Sequence, residues 1–203
     1  MFIQVIQGKV AAPARLRQRM NQWDQKLQHG AFGYLGTTSG MCDDGTIISL
    51  TRFESEQSER LNSKRPEQAA WWAATEKCFD GPLTVMDCTT VTEWMGGSWY
   101  KAGFVQIIEG HTRDAVRMRE LLMQTGERVH ELRPEILSGT LAIYGDDGFV
   151  EAVYFTSEAE ARAHERAKVP DDLRALFEEE SRLMGEVTYF DLRKPTLLSP
   201  GRK

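Results

Sequence analysis

The chain predicts an α+β fold built from two copies of one βαββαβ unit. Three observations predict it: an internal repeat, the same order of strand-like and helix-like segments in each copy, and a composition suited to a packed core. The repeat is the strongest of these. Phe2-Ile3-Gln4-Val5-Ile6-Gln7-Gly8 lines up with Phe104-Val105-Gln106-Ile107-Ile108-Glu109-Gly110 at an offset of 102 (104 − 2), with four of the seven positions identical. Asp43-Asp44-Gly45 pairs with Asp146-Asp147-Gly148 at 103 (146 − 43), and Phe53-x-Ser55-Glu56 with Phe155-x-Ser157-Glu158 at 102 (155 − 53). Pro66 pairs with Pro170, and Gly81-x-x-Thr84-x-x-Asp87 with Gly185-x-x-Thr188-x-x-Asp191, both at 104 (185 − 81). These matches keep one order, and the drift of the offset by single residues is what short loop insertions produce.

Each copy opens on an Ile/Val-rich run suited to a strand buried on both faces. A helix follows. Its apolar residues recur at helical spacing as Leu16, Met20, Trp23 and Leu27 in the first copy, and as Met118, Leu121, Leu122, Thr125 and Val129 in the second. Pro13 suits the first turn of one helix and Asp114 the start of the other. Two short β segments come next, Gly33–Met41 with Thr46–Phe53 and Ile136–Tyr144 with Phe149–Phe155. Each pair is joined at Asp-Asp-Gly, whose residues tolerate positive φ. Ser55 and Ser157 are placed as N-caps of a second helical region. Pro66 or Pro170 interrupts that region, and Gly81 or Gly185 ends it. A last strand, Leu83–Val91 or Val187–Leu192, closes each copy. The division expected is residues 1–94 for the first repeat, 95–103 for a Gly-rich aromatic connector, 104–193 for the second repeat and 194–203 for a loose tail.

At 203 residues the chain can bury a substantial core without disulfides or metals. The hydrophobic share of 41% and the charged share of 27% are ordinary. A net charge of −5, with the arginines interleaved among apolar residues of helix-like segments, argues against nucleic acid as a partner. No apolar run is long enough to span a membrane. The apolar N-terminus lacks a basic leader and reads as a strand, not a signal peptide. Cys42, Cys78 and Cys88 show no Cys-x-x-Cys spacing, so neither a disulfide framework nor a structural zinc site is expected, and a reducing cytoplasm is the expected location. The four histidines show neither helical i, i+4 pairing nor a strand His-x-His, so no metal centre is expected.

The βαββαβ order is the ferredoxin-like motif. Element order, repeat length and the run Phe53-Glu54-Ser55-Glu56, leading from the third strand into the second helix, resemble the dimeric α/β-barrel superfamily, in particular antibiotic-biosynthesis-monooxygenase-type domains. The resemblance covers nearly the whole chain, once per repeat. It implies that the two antiparallel sheets pack into a fused, pseudo-dimeric α/β barrel, with a ligand pocket between the helices and the sheet of a repeat. Such domains include cofactor-free oxygenases that turn phenolic or anthrone substrates into quinones, and haem-degrading enzymes. The haem-degrading branch uses an Asn late in the first strand, a Trp in the second helix and a His after it. The matching positions here are Gln7, Asn62 and about Trp72 in the first copy, and Glu109, His164 and about Phe177 in the second. The first copy keeps none of the three residues, so haem is disfavoured and no cofactor is expected.

His164, in the polar segment Ala161-Arg162-Ala163-His164-Glu165-Arg166, is the candidate catalytic base. An imidazole near neutral pH can deprotonate a phenol, although a solvated helix histidine fits the same segment. Asn62, Trp72, Gln7, Glu109, His111 and Phe177 are the candidate pocket residues. His111 shares a strand face with Glu109, a pairing that suits either catalysis or polar trim. Of the adjacent Trp71 and Trp72, one faces the core and the other meets a pocket, a partner or solvent. The function expected is a cofactor-independent, monooxygenase-like protein that binds a small aromatic ligand. A non-catalytic small-molecule binder and a pocketless structural or interaction module are the alternatives. The expected partner is a small molecule, with neither nucleic acid nor membrane, and the chain is a monomeric pseudo-dimer or a homodimer.

Overall fold

The computed structural model describes residues 1–165 and 169–200. The chain divides into two compact units, Met1–Thr89 together with the segment from Thr196 onward, and Thr90–Pro195. The first unit runs β1 (Phe2–Val10), α1 (Pro13–Lys26), β2 (Tyr34–Met41), β3 (Thr46–Phe53), α2 (Glu56–Ser63), α3 (Pro66–Thr75) and the start of β4 (Phe79–Trp94), whose residues after Thr89 belong to the second. The second runs β5 (Phe104–Thr112), α4 (Ala115–Leu132), β6 (Ile136–Tyr144), β7 (Gly148–Phe155), α5 (Glu158–His164), α6 (Asp171–Leu183) and β8 (Met184–Leu192). Each is an α+β, ferredoxin-like arrangement. The strands follow the order β4-β1-β3-β2 in one unit and β8-β5-β7-β6 in the other. Among the described residues no helix is long and apolar enough to cross a membrane.

The registers of the two units match residue for residue. Phe2, Gln4 and Ile6 of β1 face Phe53, Thr51 and Ser49 of β3, while Phe104, Gln106 and Ile108 of β5 face Phe155, Val153 and Glu151 of β7. A polar link recurs as well: the Gln4 amide donates to Asp87 at 3.0 Å, and the Gln106 amide to Asp191 at 3.0 Å. Alternation then decides what each face does. In the first unit Phe2, Tyr34 and Phe53 meet Trp23 of α1 and Trp71 of α3 in one aromatic cluster, with Trp23 edge-on to Tyr34 at 4.9 Å.

The second helical region breaks at Pro66 as expected, because proline cannot donate to the preceding turn. Ser55 caps α2, its hydroxyl accepting from the Ser58 N–H at 3.1 Å. Since α2 carries Glu59 and Asn62, the cap also anchors two residues of the site described below. Ser55→Ala is expected to cost about 1 kcal/mol, seen as a fall of a few degrees in thermal unfolding; an unchanged midpoint would show that the cap contributes nothing.

Three expectations differ from what is observed. Gly81 does not end a helix. It lies inside β4 at φ 79°, where the pairing of β4 with β1 shifts between Gln7 and Lys9, and a bulge is where glycine's freedom is used. Gly185 likewise lies within β8, whose register against β5 shifts between Gly110 and Thr112. The segment expected as a loose tail forms β9 (Thr196–Leu198), which pairs with β2 so that Thr37 faces Leu198 and Ser39 faces Thr196. Gly201–Lys203, the end of that expected tail, lies outside the described residues.

Candidate functional site

Phe2, Gln4 and Ile6 of β1 share the helix-covered face of the first unit with Ile47, Ser49, Thr51 and Phe53 of β3, opposite in register or in phase with them. Between this face and the helices lies a cavity of about 420 Å³, within the range of small-molecule sites. Its floor is Gln4, Ile6, Thr37, Ser49, Thr51 and Val85. Its roof is Leu16, Met20 and Trp23 from α1, Glu59, Asn62 and Ser63 from α2, and Gln68, Trp71 and Trp72 from α3. Leu198 of β9 closes it at the β2 side. The half-exposure of Ile6, Ile47, Ser49 and Thr51, in the middle of strands under three helices, is the signature of this unfilled space.

Glu59 is the sole ionisable side chain in the lining among the described residues. It is 7% exposed, its carboxylate accepts from the Ser63 hydroxyl, and no cation pairs with it among the described residues. A buried carboxylate with one neutral donor has unused acceptor capacity. Asn62, 6% exposed, is held by the Arg65 guanidinium, which donates to its carbonyl oxygen at 2.9 Å. The tryptophans divide by what their indole N–H groups do. Trp23 donates to Gln68 at 2.8 Å and Trp71 to the Arg19 carbonyl at 2.8 Å. Trp72 is half-buried against the aromatic cluster, and its N–H has no partner among the described residues. The cavity therefore offers flat apolar walls, a proton acceptor in Glu59 and a hydrogen-bond donor in Trp72 (the combination that fits a ring bearing both an acidic proton and an acceptor).

On the corresponding sheet face of the second unit, larger side chains form a buried cluster among the described residues. Leu141, Phe149, Val153 and Phe155 occupy its sheet face where Ser39, Ile47, Thr51 and Phe53 stand in the first unit, and Met118 stands over them from α4. Trp94 completes the packing. It lies so close over Gly139 that a Cβ there would come within 1.9 Å of the ring, and it donates to Glu151 at 3.0 Å. Burial pushes the Glu151 carboxyl up to about 8, the nearby Glu180 carboxylate adds to the shift, and the Trp94 hydrogen bond opposes it.

Of the residues singled out from sequence, Asn62 and Trp72 line the first-unit cavity together. Gln7 does not; it pairs with Ile48 on the opposite face of the strand, and Gln4 and Ile6 take the inward places. His164 ends α5, its Nδ1 at 2.9 Å from Glu135 without hydrogen-bond geometry. Glu135 is 4% exposed and accepts from Arg133 at 2.5 Å. His111 contacts Asp147 of the β6–β7 turn at 3.0 Å, as Lys9 contacts Asp44 in the first unit, and both partners are exposed. Glu109 keeps a buried, unpartnered Oε2, and burial raises its carboxyl above the ordinary range against the influence of His111. Phe177 lines a shallow open groove along α6 with Arg174, Glu178 and Arg182. Glu59 is the residue that sequence reasoning missed. Acidic residues after an N-cap serine are expected for the helix dipole alone, so its position gave no separate signal.

No protein-family model and no curated relative matches the chain. Solved structures do match over its whole length. A proposed monooxygenase of Fusobacterium nucleatum aligns with a TM-score of 0.77 at 10% identity, over 98% of this chain and 94% of that one. One of Lactobacillus acidophilus aligns at 0.72 and 12%, over 98% and 99%. An anthrone oxidase-like protein aligns at 0.66 and 12%, over 100% and 94%. At these identities the likeness is one of fold, and it is the monooxygenase-type ferredoxin-like fold that the sequence resembles.

Proposed function

We propose that the protein binds a small, weakly acidic aromatic molecule in the first-unit cavity and acts on it as a cofactor-independent monooxygenase. The observation that carries this is Glu59, buried and without a paired cation among the described residues, in a cavity walled by Trp23, Trp71 and Trp72. The fold it shares with proteins described as monooxygenases and as anthrone oxidase-like supports the same reading. A ring methylene conjugated with a carbonyl across the ring, as in anthrone, gives up a proton to Glu59, while the Trp72 N–H steadies the carbonyl oxygen as it gains charge. The carbanion passes its electrons to dioxygen. Overall, one ring methylene and one dioxygen give one ring ketone and one water, so the four electrons that dioxygen takes up come from the substrate carbon and no other reductant is needed. Asn62 and Gln68 position the ring, and the apolar walls keep water from the anion. His164, which lines no part of the cavity, is not needed as the base. The tandem origin of the two units belongs to the same proposal, supported by the matching registers within each of them.

Anthrone under air tests the reading. Native protein is expected to bind it by calorimetry and to consume oxygen with it, and Glu59→Gln to lose about a hundredfold in rate while still binding. Binding with no oxygen uptake would make the protein a non-catalytic binder. Absence of binding to anthrone and to 2-naphthol alike would sink the proposal.

A further inference from the structure

We propose that Leu198 sets the capacity of the first-unit site and that Trp94 is a built-in plug of the corresponding space in the second unit, so that each chain holds one aromatic ligand. The inference rests on the reading of the cavity as a ligand site. It comes from a correspondence of positions that the registers establish. Thr37 pairs with Thr51 in one unit and Gly139 with Val153 in the other, while Thr51 and Val153 face the equivalent Gln4 and Gln106. Thr37 and Gly139 are therefore equivalent places on the two sheets. Beside Thr37, paired with it across β2 and β9, stands Leu198, and over Gly139 lies the Trp94 ring. The sequence offset agrees, since Leu198 follows Trp94 by the same 104 (198 − 94) that separates Asp191 from Asp87.

The two pairs solve one packing problem differently. Glycine under tryptophan lets the indole lie flat on the sheet and reach across to Glu151, which fills the space. Threonine beside leucine forbids that pose: a Cβ at the equivalent Gly139 would collide with the ring, and leucine cannot span the gap. The space left over is the cavity. Its β2-side wall is thus a three-residue strand from the far end of the sequence, and the side chain at position 198 decides how large a ring is admitted.

Calorimetry with 2-naphthol tests this, on variants whose fold is checked by circular dichroism. Native protein is expected to bind one equivalent. Thr37→Gly/Leu198→Trp, which copies the pair of the second unit, is expected to lose at least about tenfold in affinity, while Leu198→Ala keeps binding and gains for the larger anthrone. In the second unit Trp94→Ala is expected to leave an indole-shaped space, because apolar cavities made this way take up small aromatics; added indole should raise its melting temperature and not that of native protein. A folded double variant that binds 2-naphthol as native protein does would overturn the role of Leu198. A folded Trp94→Ala that ignores indole would overturn the plug. Failure of native protein itself to bind 2-naphthol would strike instead at the reading of the site, and this inference would fall with it.

Discussion

Trp71→Ala is expected to destabilise the protein by about 3–5 kcal/mol, a fall on the order of 10 °C in melting temperature for a chain of this size, whereas Trp72→Ala costs about 1 kcal/mol or less and acts on the ligand. The two residues are adjacent on α3, so a helix turns them about a quarter-circle apart. Trp71 is 8% exposed and packs against Trp23 at 6.4 Å. Its N–H donates to the Arg19 carbonyl while the Arg19 guanidinium donates back to the Trp71 carbonyl, both at 2.8 Å. Removing the ring opens a void and takes from that carbonyl of α1 its second donor, beside the helical N–H. Trp72 is half-buried, and its N–H has no partner among the described residues, so its removal strips a cavity wall without emptying the core. Thermal unfolding and 2-naphthol calorimetry on both variants separate the roles. Equal melting points, or unchanged binding in Trp72→Ala, would show that the division between clamp and wall is wrong.

The elements were readable because each carries its own periodicity and because the repeat supplies every boundary twice. What was not readable is where a single residue serves two grammars. Gly81 follows a helix and precedes a strand, so it fits a helix stop, yet it sits at a bulge within β4. Thr196–Leu198 is too short to show alternation, and it is a strand because β2 offers it an edge to pair with. Trp94, just before the Gly96-Gly97 connector, reads as the last residue of the first repeat, but its ring is 6% exposed in the core of the second unit. The site shows the same split. Asn62 and Trp72 are cavity residues, and Gln7 misses by the parity of one strand position. The substitutions that open one unit and fill the other (Ile47 for Phe149, Ser49 for Glu151, Thr51 for Val153) stand in the repeat alignment itself. They gain meaning as a missing volume once strand parity has placed all of them on the helix-covered face. Chemistry drew attention to His164, whereas burial without a counter-charge among the described residues marks Glu59.

That unfilled-and-filled contrast has a thermodynamic consequence in the second unit. Glu151 is 3% exposed, accepts from Trp94, and has its carboxyl pushed up to about 8. An acid whose folded pKa lies above its unfolded one binds more protons when folded. Stability from this group is therefore fully present below the unfolded carboxylate range and is lost as pH rises toward 8. Glu180, raised in the same direction by burial, adds to the slope. Glu151→Gln keeps an acceptor for the Trp94 N–H and removes the charge that burial opposes. The variant is expected to match native protein near pH 4 and to exceed it at pH 7 by on the order of 3 kcal/mol, the gap widening to pH 8. Urea unfolding at pH 4, 6, 7 and 8 measures it. A variant that loses stability with pH as steeply as native protein would mean that Glu151 ionises at no cost, and that the second-unit space is wetter than its packing shows. A flattened profile would identify the glutamate beneath Trp94 as a neutral, hydrogen-bonded filler, standing where the first unit has Ser49 and a cavity.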